Sequence, residues 1–325
     1  MLSKLANLAA LTCLCALAAP ALAADPIVLK FAHEAPETAI KGQSAKKFAD
    51  LVKEYTKGSV VVEVYPGGQL VPTVDEIRAV ARGQVDIIAP YTSYFSSIDK
   101  AWDVFYQPLL YSSPEDAVQK LAGPVGDELL SRLSSRGMTG LAIWHDGPVY
   151  LFSKGAPIKA PKDMTGRKVR VAPSRPLEAG LGSVNATAVA IPATEVYLAL
   201  QQGVADSVLT TPTYVGPAKW NEVLEYGNKL MFGQGGYAVV ANQKSLDKLD
   251  AQQREAFMRA AKEAEQWNHG TALENIRQWE QRLQDGGMKW TESTDADKAA
   301  WQSFAQAAES AQSPEAKALI EKLRK

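Results

Sequence analysis

The sequence predicts an α/β protein of two lobes, with one long helix running across both. Three observations carry this expectation. Strand-like and helix-like segments alternate in two separate stretches of the chain, punctuated by glycine and proline stops. A proline-free stretch, 250–284, keeps helical apolar spacing over its 35 residues. The 325 residues, 46% of them hydrophobic, are enough for two domains of ordinary size without metal or disulfide staples.

The first alternation opens with the run 27–32 (IVLKFA), read as a strand. Ala45, Phe48, Leu51, Val52 and Tyr55 then recur at helical spacing until Gly58. Segment 60–65 is a second strand, Pro66-Gly67-Gly68 a turn, 74–82 a helix stopped by Gly83, and 85–89 a short buried strand before Pro90. The second alternation places strands at 149–152, 168–171, 187–191 and 207–209, with helices at 176–181 and 195–202. In segment 250–284, Phe257, Ala260, Ala261, Ala264, Trp267, Leu273, Ile276 and Leu283 form the apolar stripe. Asp250 with Gln253 makes a capping start, and Gly286-Gly287 a stop. At 1.5 Å per residue such a helix spans about 50 Å, longer than one small lobe. Two consecutive helices broken near His269-Gly270 are the alternative.

Residues 1–23 read as an export leader. Lys4 supplies the positive start, 8–18 the apolar stretch, Pro20 the helix break, and Ala21-Leu22-Ala23 the small-x-small cleavage site. A retained membrane anchor is the alternative, although a spanning helix wants about 20 uninterrupted apolar residues; a lipid attachment at Cys13 fits less well. Cys13 and Cys15 are the two cysteines of the chain, so cleavage leaves a protein without thiols. That excludes thiol catalysis, zinc ribbons and iron–sulfur clusters. With 35 Lys+Arg against 36 Asp+Glu there is no basic footprint for nucleic acid.

Motifs for catalysis are missing from the sequence. There is no Gly-x-Ser-x-Gly elbow, no phosphate loop and no His-Glu-x-x-His helix, and Gly233-Gln234-Gly235-Gly236 does not fit a dinucleotide fingerprint. His33, His145 and His269 are in no metal-ligand spacing. No enzyme activity, cofactor or metal is therefore expected.

The segment Pro157-Ile158-Lys159-Ala160-Pro161-Lys162-Asp163-Met164-Thr165-Gly166-Arg167-Lys168-Val169-Arg170-Val171 is followed by Ile191-Pro192-Ala193-Thr194-Glu195-Val196-Tyr197-Leu198-Ala199-Leu200-Gln201-Gln202-Gly203-Val204-Ala205-Asp206. Upstream stand Thr56-Lys57-Gly58, Tyr65-Pro66-Gly67-Gly68-Gln69-Leu70 and Gly83-x-x-Asp86. In this order and spacing the motifs resemble the periplasmic solute-binding subunits of TRAP transporters, the DctP-type family. The resemblance implies the two-lobed periplasmic-binding-protein (Venus-flytrap) fold, closing on an organic acid. It also implies a partner, the small and large membrane permease subunits, and we expect a monomer. The expected division is a leader at 1–23, a first lobe of 24–147 plus about 236–270, and a second lobe of 148–235 plus about 271–325. The helix 250–284 is shared between them.

The resemblance also assigns a site. Arg170 matches the arginine that pairs with the ligand carboxylate, a role suited to its planar, permanently charged fork. Tyr91, Glu34, Gly68 and Thr210 fall at other cleft positions. Three places depart from the family pattern: Val149 stands for a second arginine, Ala193 for an aromatic ring, and Leu209 for an acidic residue. These losses imply a roomier, less polar pocket and a monocarboxylate with an apolar or aromatic body. Trp144, Tyr150, Tyr214 and Tyr237 are candidates to line it, or else core residues. The rival readings are an exported α/β enzyme acting on an organic acid and a ligand-sensing receptor for a membrane kinase.

Overall fold

The computed structural model describes residues 25–292 and 294–325, so the expected leader lies outside the described residues. Its strands in chain order are β1 (Ile27–Ala32), β2 (Val60–Tyr65), β3 (Ile87–Ile88), β4 (Met138–Pro148), β5 (Tyr150–Ser153) and β6 (Lys168–Val171). They continue with β7 (Thr187–Ala190), β8 (Ser207–Thr210), β9 (Tyr226–Asn228), β10 (Gln234–Asn242) and β11 (Lys289–Thr291). These form two sheets, ordered β2-β1-β3-β10-β4 and β11-β9-β5-β8-β6-β7. The two-lobed α/β architecture predicted from the alternation is the one observed.

The chain crosses between the sheets at β4 to β5, where only Val149 intervenes, and again from β9 to β10. Strand β10 runs antiparallel to both β3 and β4, inserted into a sheet whose other strands come early in the chain. All nine of its residues are buried, so its sequence shows no alternation of apolar and polar positions.

The first sheet is covered on both faces. One face packs Phe31, Trp144 and Tyr237 against helix Ile40–Tyr55 and the early turns of helix Ala251–Asp285, with the rings of Phe48 and Phe257 edge to face at 5.2 Å. The other face packs under Trp102, Phe105 and Leu129, and that apolar cluster continues into the second lobe through Phe232, Trp301 and Phe304.

Helix Ala251–Asp285 is continuous through His269-Gly270, which excludes the two-helix alternative. Asp250 Oδ1 accepts the Gln253 N–H at 2.8 Å, and Gln253 Oε1 accepts the Asp250 N–H at 3.0 Å, closing the predicted capping box. The helix also satisfies the free edge of β4, the outermost strand of its sheet. Glu265 accepts the Ile143 N–H at 3.0 Å, while His269 lies 2.9 Å from the Ile143 carbonyl. Asn268 takes the His145 N–H at 2.7 Å and donates to the His145 carbonyl at 3.2 Å. Further along, Glu280 pairs with Lys229 of the second lobe at 3.2 Å.

The chain end differs from the expected division. Helix Gln302–Ser310 packs on helix Arg175–Ser183 of the second lobe, but helix Pro314–Arg324 returns to the first lobe, against segment Lys100–Tyr106. Lys322 there pairs with Glu128 at 2.6 Å. The reason is apolar: Leu319, Ile320 and Leu323 bury one face of this last helix in the cluster that contains Trp102.

Asn268→Ala removes both partners of His145 along with a 3.1 Å bond to Ser44. It should lower the urea-unfolding free energy by about 1–3 kcal/mol, the cost of buried backbone groups left unpaired. An unchanged unfolding midpoint would show that β4 does not depend on this strap.

Candidate functional site

Arg170 stands on β6, with β8 on one side and β7 on the other, and is almost entirely buried. Its Nε donates to the Ile191 carbonyl at 2.9 Å, which fixes the plane of the guanidinium. Trp220 lies 5.4 Å from it, ring centroid to guanidinium carbon. Among the described residues no carboxylate comes within ion-pair distance of this group. Burial lowers its pKa, an effect opposed by Tyr94, Tyr214, Tyr91 and Glu34 around it. A guanidinium nevertheless stays charged in proteins.

The first lobe faces it with Glu34, Tyr91 and Tyr94, and Asp146 stands where β4 leaves that lobe. Glu34 stands two residues after β1 and is held by Lys41, near the start of helix Ile40–Tyr55, at 2.5 Å with both side chains buried. Lys41 in turn sits 3.9 Å from the Tyr237 ring centre. Behind this pair Glu76 is fully buried, and burial together with the Glu34 charge holds its carboxyl well above the usual range. Asp146 accepts from Thr211 at 2.5 Å and Thr213 at 2.8 Å, both hydroxyls coming from the second lobe. Burial pushes its carboxyl up, and the two threonines oppose that.

The second lobe contributes Arg170, Ala172, Ala193, Leu209, Thr210, Tyr214 and Trp220 to the same cavity. The space left among these residues is only about 30 Å³, well below that of an occupied ligand site. The expected roomier pocket is thus corrected. Ala193 and Leu209 do line it, but the large rings of Tyr94 and Trp220 line it too. The glycine run at 233–236 also has its explanation here. A Cβ on Gly235 would overlap the Tyr91 hydroxyl and lie 2.6 Å from the Thr211 methyl.

Of the residues picked out in the sequence, Arg170, Tyr91, Glu34, Thr210, Ala193 and Tyr214 are brought together here. Four are not. Trp144 is core, 6.0 Å from the Phe31 ring, because its position on β4 points to the helix-covered face. Tyr237, also on that face, is the platform under Lys41. Tyr150 points out of the cleft toward Trp290, 6.2 Å away, beside Lys229. Gly68 lies at the rim, where a Cβ would come within 4.0 Å of Thr194 across the lobes. Val149, at the place of the family's second arginine, is buried in apolar core at the crossing.

Tyr94, Asp146, Ala172 and Trp220 were missed. Tyr94 had a signal, since three residues from Tyr91 on a helical turn shares its face. Asp146 and Trp220 had none, their neighbours being distant in sequence.

A family model described as bacterial extracellular solute-binding protein, family 7 (DctP) matches residues 31–312. The C4-dicarboxylate-binding periplasmic protein DctP of Rhodobacter capsulatus is 35% identical over 88% of this chain and 86% of its own length. The C4-dicarboxylate-binding protein DctB of Bacillus subtilis is 30% identical over 85% and 79%. Among solved structures, a TRAP periplasmic solute-binding protein from Shewanella oneidensis with bound succinate superposes with a TM-score of 0.87 at 28% identity, covering 92% of this chain and 98% of that one.

His33, directly behind Glu34, provides a pH test of this buried wall. Burial, and then the Lys41 charge, lower its pKa from 6.5 to about 3. The unfolded chain therefore takes up a proton below pH 6.5 that the folded one refuses, and stability falls as pH drops from 6.5 toward 3. Between pH 7 and 5 this histidine alone should cost about 2 kcal/mol. In urea titrations at the two pH values, His33→Asn should show a difference smaller by that amount. An equal difference in both proteins would contradict the assignment.

Proposed function

The chain belongs to family 7 of the bacterial extracellular solute-binding proteins, the DctP-type subunits of TRAP transporters, and from that premise we propose that its ligand is an organic monocarboxylate with an apolar or aromatic body. The family is one of periplasmic transport proteins, which carry small organic acids to membrane permease components. Within that function, Arg170 takes the carboxylate through its two free-facing nitrogens, and the tyrosines of both lobes with Trp220 and Leu209 hold the body. The protein acts as a monomer, exported with its leader removed after Ala23, and delivers its ligand to the small and large permease subunits.

What carries this reading is that, among the described residues, the cavity lining holds one cation without a counter-charge. Lys41, the other buried cation at this wall, is committed to Glu34. The first-lobe side of the cavity presents Glu34 and Asp146, so a second carboxylate would meet acidic groups in a desolvated space. The ligands named for the similar proteins above are dicarboxylates, and the reading departs from them on this ground. In this reading Thr210 and Glu34, which line the same cavity, accept a hydroxyl or N–H of the ligand. Because Arg170 and Tyr91 lie on different lobes, an acid touching both favours the closed form.

Thermal shifts should separate the classes. A ligand at 100 times its Kd stabilises by about 2.7 kcal/mol, which aromatic monoacids should reach at far lower concentration than C4 dicarboxylates. Preference for the dicarboxylates would refute the monocarboxylate assignment. Arg170→Ala should abolish detectable binding in calorimetry. Submicromolar affinity retained for the same acid would remove Arg170 as the anchor.

A further inference from the structure

Next to the buried cavity an open groove of about 600 Å³ runs between the lobes. Its first-lobe wall includes Val74, Ile77 and Ser97, and its second-lobe wall Pro173 and Arg175. The linings of groove and cavity meet at two places. On the second lobe Ala172 belongs to the cavity and Pro173 to the groove; on the first, Tyr94 belongs to both. Ala172 offers only a methyl group, and Tyr94 is the residue whose side chain lines both spaces.

The backbone that carries this ring is fixed. Tyr94 lies in the short helix Thr92–Ser97, its N–H bonded to the Tyr91 carbonyl at 3.0 Å. The Ser97 hydroxyl donates to its carbonyl at 2.7 Å. The preceding residues are pinned by Tyr106, whose hydroxyl accepts the Ser93 N–H at 3.0 Å and lies 2.7 Å from the Thr92 hydroxyl. With its backbone so tied, the ring can leave its place only by turning about its own side-chain torsions.

We infer that Tyr94 is the specificity-determining partition of the site: lining both spaces, it closes the cavity off from the groove and limits the length of acid that the closed protein accepts. The inference rests on the cavity being the ligand site. It does not depend on the ligand having one carboxylate or two. Removing the ring joins the cavity to the groove, so a longer acid keeps its carboxylate on Arg170 and extends its tail past the position of the phenol.

The test uses two homologous series, phenylalkanoic acids from phenylacetate upward and alkanedioic acids from succinate upward, with calorimetric Kd values for wild type, Tyr94→Phe and Tyr94→Ala. In the series that binds, wild type should lose roughly tenfold or more in affinity at one chain length, the penalty for an extra methylene in a closed pocket. Tyr94→Phe should keep that cut-off, and Tyr94→Ala should move it upward by several methylenes. An unmoved cut-off in a Tyr94→Ala protein that still melts cooperatively would overturn the inference. Should that variant fail to fold, Tyr94→Leu shortens the ring and is judged by the same shift. Which series binds wild type decides the monocarboxylate reading separately. Binding of neither overturns the cavity as the acid site, and the role of Tyr94 with it.

Discussion

The fold depends on satisfying the free edge of β4 where that strand leaves one lobe for the other. A strand at the edge of a sheet presents unpaired N–H and carbonyl groups, and these are costly when buried. Ordinary edges are left to water, but this one runs beneath the longest helix of the protein. Glu265, Asn268 and His269, within a little over one turn of that helix, supply the missing partners for Ile143 and His145. The helix and the crossing strand thereby become one unit. Asp146, next in sequence, then reaches the Thr211 and Thr213 hydroxyls of the other lobe. Hinge and cavity wall share consecutive residues.

This arrangement explains why some of the structure was legible in the sequence and some was not. The long helix could be read because its signals are local: no proline, a capping pair at Asp250 and Gln253, and an apolar stripe. Strands β1, β2, β6 and β8 were equally plain as compact apolar runs. Strands β4 and β10 escaped notice because their sequences, MTGLAIWHDGP and QGGYAVVAN, mix glycine and polar residues with apolar ones. Several of these residues answer to a partner far away, His145 to Asn268, Asp146 to Thr211, and Gly235 to the Tyr91 hydroxyl. Tertiary contact overrides local propensity in these strands.

The site divides in the same way. Arg170 was readable because a long motif surrounds it, and residues counted from neighbouring motifs, such as Tyr91 and Thr210, lie with it in the cavity. The aromatic candidates chosen for chemistry alone fared differently. Tyr214 lines the cavity, but Trp144, Tyr150 and Tyr237 do not, because alternation along a strand decides the facing of a ring and no motif fixed its phase for them. Trp220, next to the guanidinium, opens a single 3-10 turn, Trp220–Glu222, too short to carry a periodic signal.

The two halves meet in the electrostatics of closure. In the closed lobes Arg170 is buried, and among the described residues no carboxylate neutralises it. A charge left alone in such a place costs about 3–5 kcal/mol, judged from buried pairs that have lost one partner. An acid bound there removes most of that cost only if it stays as the lobes shut. The difference corresponds to a roughly 10²- to 10³-fold shift in favour of the closed form. Glu34 cannot perform this service internally, because Lys41 already holds it at 2.5 Å. The Glu34–Lys41 pair therefore does more than shape the wall: by occupying the nearby carboxylate it keeps Arg170 dependent on an external anion. Under the proposed assignment of Arg170 as the ligand anchor, that dependence would couple closure to capture.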